Sequence, residues 1–554
     1  MNGTDAIANV TRRAEGPAVS ELNVAAGTAL ADLLRSTLGP NGRDKMMVDD
    51  GTVVLTNDGA SIVDRMEIAS PAAKLVADVA RAQSGELGDG STSAIVLAGA
   101  LLEEAESLLE DGLHPTTVVG GYHEAARRIH GTLDGMAVDG DDGSLRDVVS
   151  TAITGRWDDE RTAFLADLAV RAYRAARGPD GDVHLENVTI HGVAGGETTD
   201  SELLDGLVID TDASSTSLSD VPAPVPRRVR DARVAVVDDQ LTVQSPESVS
   251  RYSLESADDL RRARDHEEAE YRRYVETLAA HDVDVLFCQK SVDDRLRTQL
   301  ARAGILVFER TRQDEVHKLE RATGARAVMR LDALDRSAVG RADGVERVEL
   351  GGGSFVVVRE ASSEQVSVLL RAGTPHVVDE TERILTDAIA LLETLAVRPG
   401  LVPGGGATEV ALARDLREHG RGVAGRESLA VDAVADALET IPVALARNAG
   451  LDPVDTLLEL RRRHAAGDVR VGIDGDAGEL VDAVDRGVVE PAHLKERVVA
   501  NATDAASLVL RIDGIIETAG SADADGHGGH DHDHDHGGAA FRSDPGGYPW
   551  AIGH

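Results

Sequence analysis

Gly88-Asp89-Gly90-Ser91-Thr92-Ser93 places two glycines, one carboxylate and three hydroxyls in six consecutive residues. The apolar residues that follow at helical spacing are Ile95, Ala98, Leu102, Ala105 and Leu109. A glycine-rich turn that leads into a helix offers free backbone N–H groups and the positive end of the helix dipole to an anion. The hydroxyls can cap the helix or bind phosphate, and Asp89 can hold a metal ion. The stretch predicts a phosphate site with Mg²⁺; the alternative is an ordinary capped helix after a tight turn.

The composition is that of a large globular chain with a strong negative charge. It has 554 residues, 42% of them hydrophobic, which suffices for roughly three or four domains with sizeable cores. The formal net charge is −40, which argues against general nucleic-acid binding because that function needs a basic surface. Asp, Glu and Arg are plentiful while Lys is scarce, so we interpret the charge as adaptation to high salt. An ordinary acidic protein is the alternative.

Cysteine usage and the N-terminus indicate the compartment. Cys288 is the single cysteine and follows the apolar run Val283–Phe287, so we expect a buried free thiol and no intramolecular disulfide. Met1–Arg13 lacks the apolar segment of a secretory signal. No apolar run approaches the ~18 residues of a membrane span. We therefore expect a soluble, cytoplasmic protein with neither nucleic-acid nor membrane partners.

Helical periodicity dominates both ends of the chain. The N-terminal helices are predicted around 20–38, with Leu22, Ala26, Leu30, Leu33 and Leu34 on one face, and at Lys74–Gln83, Thr92–Leu109 and Thr116–Leu133. The C-terminal helices are predicted at Glu380–Ala396, Thr408–Glu418, Arg426–Arg447, Pro453–His464 and Lys495–Glu517. The apolar face predicted for the first of them consists of Ile384, Ala388, Leu391 and Leu395. Between them, strands that alternate with helices are predicted at Arg233–Val237, Val283–Cys288, Gly304–Phe308, Ala325–Met329 and Phe355–Val358. Two helical blocks thus bracket an α/β middle, which indicates a discontinuous helical domain with other domains inserted.

A charged insert interrupts the α/β region at about 240–278. Its first half is polar and extended, and its second half is a helix whose apolar residues are limited to Leu260, Ala263, Tyr274, Val275 and Leu278. A helix of this kind packs weakly and is expected to protrude. Its charges indicate either a solvated face or, as the sharper hypothesis, a mobile lid or partner-binding element.

The chain ends in a histidine-rich tail after Ala519. The histidines between Gly526 and Gly538 are His527, His530, His532, His534 and His536. Alternating His and Asp can bind Zn²⁺ or Ni²⁺. A disordered solvating tail is the simpler interpretation.

Several other glycine-and-acid turns recur in the helical blocks, and together they carry a family resemblance. The motifs are Thr37-Leu38-Gly39-Pro40, Asp44-Lys45-Met46, Thr56-Asn57-Asp58-Gly59-Ala60, Gly88-Asp89-Gly90-Ser91-Thr92, Gly404-Gly405-Gly406-Ala407, Asn448-Ala449-Gly450-Leu451-Asp452 and Leu510-Arg511-Ile512-Asp513. In order and spacing the chain resembles the chaperonins, specifically the archaeal and eukaryotic class of thermosomes, over about residues 20–517. Each motif alone is weak, but the set is highly specific.

The resemblance implies a multidomain α and α/β fold. It implies a discontinuous helical equatorial domain, a small intermediate α/β domain and an apical α/β domain with a helical protrusion. The implied ranges are 1–145 and 400–519 for the equatorial domain, 146–212 and 363–399 for the intermediate domain, 213–362 for the apical domain with its lid insert near 240–278, and 520–554 for the tail. Subunits, of one kind or as paralogues, would form a double ring that encloses unfolded client proteins, with ATP hydrolysis driving lid closure.

The resemblance also implies residue roles toward ATP and Mg²⁺. Asp89 resembles the Mg²⁺ ligand, and the implied phosphate contacts are Gly88, Gly90, Ser91, Thr92 and Ser93. The remaining implied nucleotide contacts are Gly39 and Pro40 at a helix end, Gly405, Gly406 and Glu490 near the ribose, and Asp474 in the base pocket. Asp387 resembles the aspartate that positions or activates the attacking water, and Asp58 resembles a second carboxylate near the γ-phosphate.

The chain departs from the family pattern at several positions. Arg156 stands where the family has a phosphate-sensing lysine, and arginine keeps the charge but not the shape. Ser91 and Ser93 replace two threonines and keep the hydroxyls, and the histidine-rich tail replaces a glycine- and methionine-rich one. These departures suggest a divergent paralogue. Two alternatives stay open at this point: a paralogue that fills a ring position with little hydrolysis, and a small-molecule phosphotransferase.

Overall fold

The structure is a computed structural model that describes residues 10–15, 17–49, 52–140, 143–177, 184–210, 228–242, 257–350, 353–359 and 365–518. The histidine-rich tail and most of the extended half of the charged insert lie outside these residues. The chain divides into a large unit, Pro17–Asp513, and a small unit from the two ends. In the small unit, strand β1 (Val10–Glu15) pairs antiparallel with β17 (Gly514–Thr518).

One helical block of the large unit is built from both ends of its sequence. Numbered in chain order, its N-terminal elements are α1 (Pro17–Arg35), β2 (Lys45–Asp49), β3 (Thr52–Thr56), α2 (Gly59–Asp64), α3 (Pro71–Leu87), α4 (Ser91–Glu110) and α5 (Pro115–Met136). Its C-terminal elements are β13 (Leu401–Pro403), α12 (Ala407–Gly420), α13 (Glu427–Leu438), α14 (Thr440–Asn448), α15 (Pro453–Ala465), β14 (Val471–Asp474), β15 (Glu479–Asp482), α16 (Ala483–Arg486), β16 (Val489–Pro491) and α17 (Ala492–Leu510). The two sets share one hydrophobic core, which confirms the predicted discontinuous helical domain.

Helix α4 forms the centre of this block. Every residue from Ala94 to Leu102 is buried, and the helix packs against α1, α3, α13 and α17. A helix that is apolar on all sides belongs in the interior of a large core. Because α4 begins at Ser91, its burial fixes the position of the preceding glycine turn.

A smaller layer of helices and strands joins the helical block to the rest. Its elements are α6 (Ser144–Ile153), α7 (Asp159–Ala175), β4 (Val188–Ala194), β5 (Glu202–Asp205), β12 (Val366–Ala372) and α11 (Pro375–Val397). The strand order is β4-β12-β5, with β4 parallel and β5 antiparallel to β12. The predicted apolar face of α11 is confirmed, since Ile384, Ala388, Leu391 and Leu395 are all buried.

The α/β middle is a six-stranded mixed sheet covered on both faces. Its elements are β6 (Leu207–Asp210), β7 (Arg228–Val237), α8 (Ala257–Ala280), β8 (Val285–Cys288), α9 (Asp294–Arg302), β9 (Leu306–Phe308), α10 (Gln313–Thr323), β10 (Gly340–Leu350) and β11 (Gly353–Arg359). The strand order is β6-β11-β10-β7-β8-β9. Alternate side chains of β7 point to opposite faces: Val234 and Val236 pack with α10, and Ala235 and Val237 pack with α8 and α9. Cys288 is buried and free, as expected.

The charged helix of the insert is anchored at its C-terminal half. Tyr271 and Leu278 of α8 are buried in the core beneath the sheet, and Tyr274 and Val275 pack against the same core. The expectation that this helix packs weakly is therefore wrong for its last turns. Tyr271 was missed in the apolar stripe because its neighbours along the chain are charged.

Three of the predicted elements differ from the structure. The helix predicted at Arg426–Arg447 is two helices that meet at Glu439, because Pro442 has no N–H for the carbonyl of Leu438 and its ring crowds that turn. The helix predicted at Lys495–Glu517 ends at Leu510, and the β-branched residues after Gly514 form β17 instead. The strand predicted at Ala325–Met329 is a single bridge between Val328 and Val237.

The buried face of α1 matches the prediction at Leu30 and Leu34 but differs elsewhere, because α1 approaches α4 closely through small residues. Leu22 and Leu33 are 65% and 40% exposed, while Gly27 and Ala31 lie against α4. Within the described ranges, no helix is both long and apolar enough to cross a membrane.

This close approach predicts the effect of a single methyl group. A Cβ on Gly99 would lie 2.1 Å from the Cβ of Ala31, so Gly99→Ala should overpack the α1–α4 contact and cost about 1–3 kcal/mol of unfolding free energy. We expect a lower midpoint of thermal unfolding. The control is Gly131→Ala on the exposed side of α5, where the added Cβ has no described heavy atom within 4 Å apart from the adjacent residues and helix backbone. There a gain of about 0.4–1 kcal/mol is expected. Equal midpoints for Gly99→Ala and the parent would contradict the close contact.

Candidate active site

A cavity of about 330 Å³ lies where segments from distant parts of the sequence meet. This volume is in the range of small-molecule sites. The predicted site residues that line it are Gly39, Pro40, Asp58, Asp89, Gly90, Ser91, Thr92, Ser93, Arg156, Gly405, Gly406, Asp474 and Glu490. The other two, Gly88 and Asp387, line a smaller cavity of about 30 Å³ that shares Asp58, Asp89 and Arg156 with the first. The structure thus brings all the predicted site residues together.

The glycine turn between α3 and α4 has the geometry of an anion-binding loop. Gly88 and Gly90 have φ values of 70° and 80°, a left-handed conformation that glycine adopts without strain. Gly90 is the N-cap of α4, and no side chain caps the helix there. The first N–H groups of α4 are therefore available to a ligand in the cavity.

Asp58 links the β2–β3 hairpin to this turn. Its Oδ2 accepts a hydrogen bond from the backbone N–H of Ser61 (2.8 Å) and so caps α2. Its Oδ1 accepts from Ser91 Oγ (3.2 Å). The backbone N–H of Gly59 donates to Thr92 Oγ1 (3.1 Å), so two hydroxyls of the turn are held by the neighbouring segment.

Helix α11 brings a chain of alternating charges to the same place. Arg383 Nη1 lies 2.8 Å from Asp387 Oδ2, one helical turn away, and 3.6 Å from Asp58 Oδ2. Glu380 Oε1 accepts from Arg383 Nη2 (2.8 Å) and from Arg156 Nη1 (2.9 Å). The place of Arg383 and Glu380 in the site was not predicted. The sequence does not show which distant groups a charged residue on a helix will face.

The surroundings of the carboxylates separate their pKa values. Burial raises the pKa of Asp387 to about 7, with Arg383 opposing the shift and the carboxylates of Asp58 and Asp89 adding to it. Burial also acts to raise the pKa of Asp58, but Arg383 and the backbone N–H of Ser61 outweigh it, so that pKa is lowered. Neighbouring carboxylates with divergent pKa values are the arrangement that assigns acid–base roles in enzymes.

The opposite wall of the cavity depends on close backbone contacts around Pro40. A Cβ on Gly155 would lie 1.6 Å from the carbonyl oxygen of Pro40, and one on Gly475 would lie 2.1 Å from its ring. Gly39 has φ 82°. Three glycines thus allow this proline turn to lie between the segment before Arg156 and the β14–β15 hairpin.

The glycines that open α12 form the third wall. Gly405 and Gly406 have φ values of 61° and 79°, and Gly406 caps α12 without a side-chain hydrogen bond. A Cβ on Gly405 would meet the carbonyl oxygen of Ile473 at 2.4 Å. These glycines thus open the helix that was predicted at Thr408–Glu418 and that runs from Ala407 to Gly420.

Glu490 belongs to a buried ion cluster that was not predicted. Lys495 Nζ lies 2.8 Å from Glu490 Oε2 and 2.7 Å from Glu409 Oε1. Burial raises the pKa of Glu490. Burial alone would lower the pKa of Lys495, but the two carboxylates outweigh it and raise that pKa. The scarcity of lysine in this chain was the signal that could have drawn attention to Lys495, which follows Glu490 by five residues.

Asp474 lines the cavity, but its carboxylate is occupied by its own hairpin. Its Oδ1 accepts from the backbone N–H groups of Asp476 (3.1 Å) and Ala477 (3.0 Å), and its Oδ2 accepts from Arg486 Nε (2.6 Å). Burial acts to raise the pKa of Asp474, but these hydrogen bonds and the Arg486 charge lower it. The geometry assigns Asp474 the ordering of the β14–β15 turn.

The donor set around Asp89 fits Mg²⁺ held jointly by protein and phosphate. The Asp89 carboxylate forms no ion pair within the described residues, and burial raises its pKa, so a cation there would relieve its desolvation. Mg²⁺ binds through one or two carboxylates together with substrate phosphates. Within the described residues, no group of three or more His, Cys, Asp or Glu is placed to hold a metal ion.

The buried ion cluster predicts a pH-dependent loss of stability. Lys495→Met should cost about 3–5 kcal/mol, because two buried carboxylates lose their counter-ion. A buried carboxylate without a counter-ion is costly in its ionised form, so the loss should be smallest in acid and grow as pH rises. Thermal unfolding measured across pH checks this. Lys74→Met, at an exposed position on α3, is the matched control, and an equally small effect in both variants would contradict the cluster's importance.

Comparison with known proteins agrees with this architecture. The TCP-1/cpn60 chaperonin family model matches residues 30–519. Thermosome subunit 3 of Haloferax volcanii is 41% identical over 517 residues, covering 92% of this chain and 97% of that protein. Thermosome subunit alpha of Halobacterium salinarum is 39% identical over 511 residues (91% and 90%), and the thermosome subunit of Methanopyrus kandleri is 40% identical over 513 residues (91% and 93%). The chain therefore belongs to the TCP-1/cpn60 chaperonin family, as a group II chaperonin, an ATP-hydrolysing chaperone that forms double-ring chambers for protein folding.

Proposed function

We propose that the 330 Å³ cavity binds ATP with Mg²⁺ and that Asp387 and Asp58 act in its hydrolysis. The observation that carries this proposal is the convergence of two glycine-opened helix starts, α4 and α12, with three carboxylates from separate segments. Helix N-termini bind phosphate through free N–H groups and the helix dipole. The carboxylates supply what hydrolysis needs beyond binding: a metal ligand and a proton acceptor.

The phosphates would lie against the start of α4. Its first N–H groups, that of Ser91 included, and the hydroxyls of Thr92 and Ser93 would hold them, with Arg156 beside the γ-phosphate; the Ser91 hydroxyl itself donates to Asp58. Asp89 would hold Mg²⁺, which when bound neutralises phosphate charge and so stabilises the transition state. Gly405, Gly406 and Glu490 would contact the ribose side, while Gly39 and Pro40 form the facing wall. Asp474 would shape the base pocket through its hairpin.

Asp387 is suited to accept the proton of the attacking water. A general base works best when its pKa lies near the working pH, and burial raises the pKa of Asp387 to about 7. Asp58, with its lowered pKa, stays ionised and would orient the water. Arg383 contacts both carboxylates and holds them on the same side of the small cavity.

The position of Asp387 also suggests how hydrolysis is coupled to movement. Asp387 is on α11, in the layer with α6, α7 and the three-stranded sheet, while Asp58 and Asp89 are on the helical block. A shift of that layer would move the base relative to the phosphates, so the site would be complete in one arrangement only.

The domain ranges, the lid and the cellular environment are also proposals. The sheet formed by β6–β11 would be the apical domain and the insert near 240–278 its lid, with the domain ranges as given from the sequence. We further propose that the protein works in a cytoplasm of high salt. The net charge of −40 and the single buried, free cysteine support this setting.

Removal of the Asp387 carboxylate tests the catalytic assignment. Asp387→Ala should bind ATP nearly as well as the parent while hydrolysis falls by about 10²–10⁴-fold, the usual contribution of a positioned acid–base group. Because the carboxylate form is needed, the parent rate should rise with pH through about 7, and the residual rate of the variant should lack this rise. Steady-state hydrolysis and nucleotide binding across pH measure both effects. Asp379→Ala, exposed on the same helix, is the control, and a parent-like turnover in Asp387→Ala would refute the assignment.

Shortening the insert tests the lid. Tyr271 and Leu278 anchor α8 in the sheet's core, so the deletion should end before them: residues 244–266 replaced by a short Gly/Ser linker. We expect the ring to assemble and hydrolyse ATP but to lose retention of an unfolded client on ATP addition, measured by co-elution with the ring. Retention equal to the parent's would show that the insert is not the lid.

A further inference from the structure

A buried amide lies beneath the glycine turn. Gln83 of α3 has no exposed surface. Its Nε2 donates to the backbone carbonyl oxygen of Asp89 (3.2 Å), and its Oε1 accepts from Asn501 Nδ2 of α17 (2.8 Å). A buried amide is costly unless it is hydrogen-bonded, and packing alone would be served by an apolar side chain of the same size.

These contacts fix the peptide that joins Asp89 to Gly90. Its carbonyl oxygen accepts from Gln83, and its N–H donates to the Oδ1 of the Asp89 side chain (2.6 Å). Peptides next to glycine rotate readily, and α4 has no side-chain cap to restrain this one. The orientation of the Asp89 carboxylate thus follows from the orientation of the peptide, which Gln83 sets.

Gly90 of the turn also packs closely against Gln83. A Cβ on Gly90 would lie 3.1 Å from Gln83 Nε2, 2.9 Å from Val498 Cγ2 and 3.1 Å from Leu494 Cδ1. Gln83 is the polar member of this group, and its amide faces the turn.

We propose that Gln83 is a positioning residue that holds the Asp89 carboxylate in the direction needed to bind Mg²⁺ beside the nucleotide, with Asn501 as its support. This inference rests on the proposed role of Asp89. Partners that orient a metal ligand typically change metal affinity or activity by about 10–100-fold when they are removed.

The test compares ADP binding in Mg²⁺ and in EDTA, using the assembled protein and calorimetric titration. Gln83→Met keeps the volume and removes both hydrogen bonds. We expect the gain in ADP affinity that Mg²⁺ provides to fall by about 10–100-fold, while affinity in EDTA stays near the parent value. Asn501→Ala removes the support and should lower the Mg²⁺-dependent gain by a smaller factor; it serves as the readout if Gln83→Met does not fold.

Two controls separate the possible failures. Gln365→Met removes another buried amide, at the start of β12 and away from the cavity, and should leave the Mg²⁺-dependent gain unchanged. Asp89→Asn should abolish that gain; if it does not, the proposed metal ligand is wrong, whatever Gln83 does. If Asp89→Asn abolishes the gain while the Gln83 and Asn501 variants both keep it, the positioning role is overturned and the proposed function stands.

Discussion

Asp387 reaches the small cavity because Gly88 has no side chain. A Cβ on Gly88 would lie 2.6 Å from the backbone carbonyl oxygen of Asp387, so any other residue would push α11 away from the turn. The left-handed φ of Gly88 independently favours glycine. At this contact the layer that carries Asp387 meets the block that carries the glycine turn. The proposed chemistry of the site depends on the gap between Gly88 and the Asp387 backbone being too small to admit a methyl group.

The electrostatics of the site follow from the same close approach. Asp58, Asp89 and Asp387 line one cavity of about 30 Å³, and like charges in a partly desolvated space raise each other's pKa. Arg383 and Arg156 offset this repulsion, and Glu380 holds the two arginines together. The net effect on the pKa differs between members of the cluster. The pKa of Asp58 is lowered, while burial raises the pKa of Asp387 to about 7. A nucleotide with its metal would change this balance.

The local signals in the sequence predicted the parts of the site that depend on backbone conformation. Gly88 ends α3, while Gly90, Gly405 and Gly406 precede the starts of α4 and α12. All four have positive φ, and such turns can be predicted from residue type alone. The helical blocks and the buried face of α11 followed from periodicity. Lys495, Glu409 and Arg383 were missed because a charge on a helix looks solvated until its partner is known, and these partners are far away in sequence. The face of α1 was predicted only in part, at Leu30 and Leu34, because the contact through Gly27 and Ala31 carries no hydrophobic signal. The helix break near Pro442, by contrast, could have been predicted from the sequence, because proline disrupts a helix interior.

The construction of the helical block from both chain ends bears on how the polypeptide is made. Helix α4 packs against α17, which leaves the ribosome roughly 400 residues later, on the order of 20–80 s at translation rates of about 5–20 residues/s. During that time the apolar flank of α4 facing α17 has no permanent cover. Exposed apolar surface of this kind promotes aggregation of nascent chains. A nascent copy of this chain is therefore itself prone to aggregate and depends on the cell's chaperones before it can become part of a chaperone assembly.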